Sequence, residues 1–304
     1  MHRCSLTVRL LRLVALVSLA FGAIACSREV QHIPLDPQEF QTTTLTEIHP
    51  HRFWGDEAPE NLEEKIQANA TLLRQRFPDA VNAVAATAPV NRLLAISGGG
   101  ADGAFGAGLL AGWSESGTRV EFEVVTGVST GAMIAPFAFL GPAYDDTIVD
   151  IYATANPDKV FELALVGGLL LGSAATDTTP LKRQIETYVT LDLINRLADE
   201  RARARSLFIV TTHFDARRPV VWDIVAIAQG RDDQAVDLIR QIILASAAIP
   251  ALFPPVPMEF ELDGKTFTEL HVDGGLSYNI FAYPAQIPVR RLNELLGLTF
   301  RREV

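Results

Sequence analysis

Short apolar runs and longer amphipathic stretches alternate from residue 91 onward, with glycine-rich turns between them. Residues 93–97 (LLAIS) read as a strand, and after a crowd of glycines AFGAGLLAGW starts a helix. Residues 122–127 (FEVVTG) repeat the strand pattern and 131–140 (GAMIAPFAFL) the helix. Strands that alternate with helices imply a parallel sheet covered on both faces. Farther on, SLFIVTTHFD and RPVVWDIVAI predict a hairpin about Ala216-Arg217-Arg218, and 232–249 predict an amphipathic helix stopped by Pro250. Ahead of the alternation, 61–77 carry Leu62, Ile66, Ala70 and Leu73 at helical spacing, ending before Pro78. The apolar stretch 164–175 (ALVGGLLLGSAA) is too short to span a bilayer and reads as a buried helix or loop.

The first 25 residues follow another pattern. Arg3, Arg9 and Arg12 precede an uncharged apolar stretch, 13–25, that ends in Ala23-Ile24-Ala25 before Cys26. A basic segment, a short apolar segment and small residues at the end predict a secretory signal peptide over 1–25. Cys4 lies inside that leader, so export would leave Cys26 as the only thiol and no internal disulfide. Cys26 after a small residue resembles the lipobox of bacterial lipoproteins, in which that cysteine is diacylated. The expectation is an exported, membrane-anchored lipoprotein facing the periplasm or cell surface; ordinary cleavage after Ala-x-Ala would give a soluble periplasmic or secreted protein instead. Residues 26–90 would hold the lipidated cysteine, a proline-dotted tether and the 61–77 helix, leaving 91–304 as the main domain.

Charge narrows the partners. The 304-residue chain carries −10, and losing a leader with three arginines and no acid takes it to −13. No basic run exists to neutralise phosphates, so nucleic acid is excluded as a partner. With 48% hydrophobic residues the chain has material for one substantial core.

The glycine crowd admits two readings. Gly98, Gly100 and Gly103 satisfy G-x-G-x-x-G, but no acidic residue closes the second strand to hold a ribose, and no Gly-Lys-Ser/Thr follows for a phosphate loop. What closes the second strand is GVSTG, residues 127–131: a G-x-S-x-G in which Ser129 sits on a strand-to-helix turn between Gly127 and Gly131. Parallel neighbouring strands would bring both loops to one sheet edge, where bare glycine amides can face an oxygen that turns negative as Ser129 attacks an ester. A base is also needed. Only His213 and His271 follow Ser129, neither in the late position that a Ser–Asp–His order requires. His213, mid-strand, reads as a packing or surface residue. The other candidate is Asp273, in HVDGGLSYN, beside Gly274 and Gly275, whose backbone freedom permits a close approach to another loop.

Four blocks in order, over roughly residues 91–283, make the chain resemble the patatin-like phospholipases: SGGGADGAFGAGLL, GVSTG, SAAIPALFPPV (246–256) and VDGG (272–275). The resemblance implies a three-layer α/β/α fold with a mostly parallel central sheet. It also implies a Ser129–Asp273 dyad without histidine, and oxyanion donors from the loop of Gly98, Gly99, Gly100 and Gly103. The expected activity is serine acyl hydrolysis of phospholipid, lysophospholipid or neutral lipid esters, without metal or organic cofactor. The membrane surface would be met through the N-terminal anchor. Asp273 is expected to be desolvated with a raised pKa, since an ordinary carboxylate is a weak base. Two departures stand out. Asp102 occupies a position where the family usually carries Arg or Lys, which would disfavour anionic head groups. The chain also stops 29 residues after Gly275, where the family usually continues. The alternatives are an inactive lipid-binding lipoprotein of the same fold, a Ser129–His271 hydrolase oriented by a carboxylate such as Asp223, and, more distantly, a nicotinamide-binding oxidoreductase.

Overall fold

The computed structural model describes residues 32–36, 40, 43–59, 62–155, 178–284, 286–287 and 289–304. The leader 1–25, Cys26 and the apolar stretch 164–175 lie outside the described residues. Residues 33–304 form one compact unit. Among the described residues no helix is long and apolar enough to cross a membrane.

The alternation seen in the sequence becomes β2 (Val90–Ile96) and β3 (Val124–Val128), each followed by a helix; β1 (Arg52–Trp54) precedes them. The helix α2 (Gly103–Glu115) follows β2 and α3 (Thr130–Leu140) follows β3, while α1 (Leu62–Arg76) lies upstream. The expected hairpin is β4 (Ser206–His213) and β5 (Arg218–Asp223), in antiparallel register with Thr211 opposite Val220. The end of the second hairpin segment turns into a short helix, α4 (Ile224–Ala228), because the Asp223 carboxylate accepts the Ala226 N–H at 3.0 Å and caps it. The amphipathic helix before Pro250 is α5 (Asp233–Ser246).

A second hairpin, β6 (Val256–Leu262) and β7 (Lys265–Asp273), turns through Asp263-Gly264, both with positive φ. The chain closes with α6 (Val289–Leu296) and β8 (Arg301–Glu303). The strand order is β1-β5-β4-β3-β2-β8, with β7 paired to β4 and β6 to β7. The four strands β4-β3-β2-β8 run parallel, and the antiparallel strands flank them.

Residue alternation sorts the two faces. Leu207 and Ile209 of β4 and Val220 and Trp222 of β5 enter the larger core with α3 and α5. Val210 and Val221 point the other way, against Phe281. Beyond that second face α1 packs with α6 through Ile66, Ala70 and Leu296. The result is the three-layer α/β/α arrangement, with the carboxyl ends of β2 and β3 at one edge.

Candidate active site

Ser129 sits on the turn between β3 and α3 with φ 55° and ψ −127°, a left-handed conformation that a residue with a side chain rarely adopts. The turn lifts its hydroxyl off the backbone, and as N-cap of α3 it stands at the positive end of that helix. Ser129 Oγ donates to Asp273 Oδ2 at 2.6 Å, and both residues are buried.

Two strand ends make this meeting. Strand β3 runs up one edge of β4 as far as Val128, opposite Val210. Strand β5 occupies the other edge, so β7, arriving antiparallel with Asp273 opposite Thr211, must lie on the β3 edge. The ends of β3 and β7 therefore abut at neighbouring β4 residues, and the side chains that follow them face each other. Gly274 lets the chain turn there: a Cβ on it would lie 2.3 Å from the Val210 carbonyl oxygen.

The segment 246–256 braces this junction. The Ser246 hydroxyl, fully buried, accepts the Ser129 N–H at 2.9 Å and donates to the Val210 carbonyl at 2.6 Å. Ala248 contributes its carbonyl to the Asp273 N–H at 2.9 Å. Sequence reading marked this block only through a resemblance. The signal was a serine followed by small residues at the end of a helix, and nothing local says where that hydroxyl points.

Asp273 Oδ1 accepts the Gly275 N–H at 2.6 Å. Burial raises the carboxyl's pKa above the ordinary value, opposed by the hydrogen bonds from Ser129 and Gly275. A desolvated carboxylate with one serine hydroxyl on it can take the proton of that serine.

Of the four glycines proposed for the oxyanion loop, two have amides already engaged. Gly98 donates to the Asn279 carbonyl at 3.1 Å, and Gly103 closes the short turn 100–102 onto Gly100 and Ala101. Gly98 instead provides clearance, since a Cβ there would come within 2.8 Å of Ser129 Cβ. Among the described residues the Gly99 and Gly100 amides make no hydrogen bond, which leaves them as the donors able to meet an oxyanion. Tyr152, filling the space beside Gly103, donates to the Thr130 carbonyl at 3.2 Å and ties this loop to the first turn of α3.

The histidines serve elsewhere. His271 shares hydrogen bonds with Thr211 at 2.9 Å and Glu269 at 3.0 Å, so both ring nitrogens are committed. His213 is buried and accepts the Ala216 N–H. Asp223, the supposed orienting carboxylate, caps α4 instead. Among the described residues no cluster of His, Cys, Asp and Glu could hold a metal ion.

The patatin-like phospholipase family model matches residues 94–286, which contain all of these groups. No curated protein matches the chain. Among solved structures the chain is similar to VipD from Legionella pneumophila, at 16% identity and a TM-score of 0.34, covering 66% of this chain and 48% of that one. It is also similar to a chain in the complex of full-length SpcU with full-length ExoU from the Pseudomonas aeruginosa type III secretion system. There the identity is 22% and the TM-score 0.29, over 55% of this chain and 39% of that one. The chain thus spans less than half the length of either.

Proposed function

The chain belongs to the patatin-like phospholipase family, and on that premise we propose that it is a serine acyl hydrolase of lipid esters working through a Ser129–Asp273 dyad. Family membership supports lipid hydrolysis. The observation that carries the finer reading is the buried 2.6 Å hydrogen bond from Ser129 to Asp273.

In this reading Ser129 Oγ attacks the ester carbonyl carbon while its proton passes to Asp273. The carbonyl oxygen, now negative, takes hydrogen bonds from the Gly99 and Gly100 amides. A single donor of this kind is worth about 3–4 kcal/mol of barrier. Collapse breaks the bond to the alcohol, which leaves with the proton from Asp273. Water then surrenders a proton to Asp273 and attacks the acyl-serine, and the acid departs as Ser129 recovers its proton. No step needs a metal or an organic cofactor.

The anchor belongs to the same proposal: cleavage before Cys26 and acylation of that thiol would hold the domain at a membrane, beside its substrate. Incorporation of radiolabelled palmitate by the wild type and not by Cys26→Ser tests it, and equal incorporation overturns it. The dyad is tested by the intact mass after fluorophosphonate treatment. One adduct, absent in Ser129→Ala, is expected. No adduct on folded protein would instead favour a lipid-binding protein without turnover.

A further inference from the structure

A cavity of about 410 Å³ lies on the second face of the sheet, away from the dyad. Its floor is Phe208 of β4 and Phe53 of β1, packed edge to face, and its apolar wall continues through Phe281 and Ile287. Ser206 at its far end pairs with Val124, four residues before Val128, which places that end roughly 13 Å down the sheet from the nucleophile turn. The volume falls in the range of small-molecule sites, about 300–1,000 Å³.

Its polar groups gather at one end. Lys65 of α1, Arg201, His51 and Asp223 all line it and act on one another electrostatically. Among the described residues neither Lys65 nor Arg201 forms an ion pair, although Lys65 is half-buried with its ammonium 5.7 Å from the Phe53 ring centre. Burial pushes both the Lys65 and the His51 pKa down, leaving His51 neutral at pH 7. Two cations, answered by the Asp223 carboxylate and, at Lys65, by neighbouring Glu64, stand beside an aromatic trough. With neither cation in a contact ion pair among the described residues, their N–H groups can donate charge-assisted hydrogen bonds to a ligand carboxylate.

We propose that this cavity is a second binding site for a single-chain carboxylate amphiphile, its head on Lys65 and Arg201 and its chain along Phe53, Phe208 and Phe281. It is separate from the dyad and does not depend on the dyad's being active. The wall it would press on also reaches the dyad. Phe281 packs against Val128, its carbonyl accepts the Thr126 hydroxyl, and Asn279, two residues earlier, holds the Gly98 amide.

The test is calorimetric titration of dodecanoate, below its micellar concentration, into the full chain carrying Ser129→Ala. Saturable one-to-one binding is expected. A Lys65→Met/Arg201→Met pair should weaken it at least tenfold, and Ala282→Trp, which fills the trough, should abolish it. Dodecyltrimethylammonium should not bind. Thermal melts show that each variant is folded, whatever the state of the dyad. Undetectable binding at millimolar dodecanoate overturns the proposal. So does binding that both sets of variants leave unchanged, or equal binding of the cationic amphiphile.

Discussion

Glu269 and Asp273 stand on the same strand, four residues apart and both buried, yet their surroundings drive them in opposite directions. Burial alone would raise both. At Glu269 that push is overcome by the Arg52 guanidinium, bound through both nitrogens at 2.5 and 2.9 Å, and by His271, which together hold the carboxyl well below the usual range. The chain of donors continues: Trp222 N–H to Thr211, Thr211 to His271 Nδ1, and His271 Nε2–H to Glu269. Among the described residues Asp273 has no cation, only one serine hydroxyl and one amide, and stays raised. Burial creates the demand, and the donors supplied decide whether a carboxylate is a strut or a base. Their stability contributions also slope oppositely with pH. Glu269 stabilises the fold above its unfolded pKa and loses that as pH falls through its depressed folded value. Asp273 is fully compatible with the fold below its unfolded pKa and loses stability as pH rises through its raised folded value.

Exchanging the roles breaks the comparison most severely. Ser129→Ala and Asp273→Asn are expected to lose ester hydrolysis by on the order of 10³–10⁴-fold or more. At pH 8 Asp273→Asn should also melt at or above the wild-type temperature, because it removes a desolvated charge. Retention of full hydrolysis by Asp273→Asn sinks the dyad. Arg52→Met should do the reverse, destabilising the fold by about 3–5 kcal/mol in urea titrations by leaving Glu269 buried and unpaired. Its rate per folded molecule should stay near wild type; a collapse of that rate would show that the strut also tunes the base.

Ser246→Ala should reduce kcat by about ten- to a hundredfold with KM little changed. It leaves the Ser129 amide and the Val210 carbonyl unpaired, a loss of about 1–3 kcal/mol. A kcat equal to wild type would mean that the turn holds its left-handed geometry unaided. The pH profile sharpens the contrast more gently. The acid limb of kcat/KM should fall at a pH above the ~3.9 of an exposed aspartate, since only ionised Asp273 accepts the serine proton. A limb at or below that value would contradict a raised base. The smallest effect belongs to exposed Asp102: Asp102→Asn should improve the rate on anionic over zwitterionic vesicles by about two- to fivefold at low salt, roughly 0.3–1 kcal/mol of local charge. An unchanged ratio would remove Asp102 from head-group preference.

Much of this was legible in one dimension because local rules wrote it. Strand, Gly-x-Ser-x-Gly and small-residue helix are contiguous in the chain, so β3, Ser129 and α3 follow from steric needs within about fifteen residues. The β6–β7 hairpin also has a local signal, Asp263-Gly264 between two strand-like runs. Beyond α6, residues 301–303 form β8, which pairs with β2 at Val90–Arg301. Arg52, Glu269 and Ser246 left no trace as a set, because their partners lie 217 and 117 positions away along the chain.

The sequence by itself determined the alternation of elements and the sharp turn that exposes Ser129, since each is dictated by neighbours a few bonds away. Tertiary structure alone decided which carboxylate meets the serine, which glycine amides stay open and which histidines are occupied. Those outcomes depend on β3 and β7 ending against adjacent residues of β4. That coincidence is set by packing across the whole sheet, where a hydrogen bond's partner is chosen by position in space and not by separation along the chain.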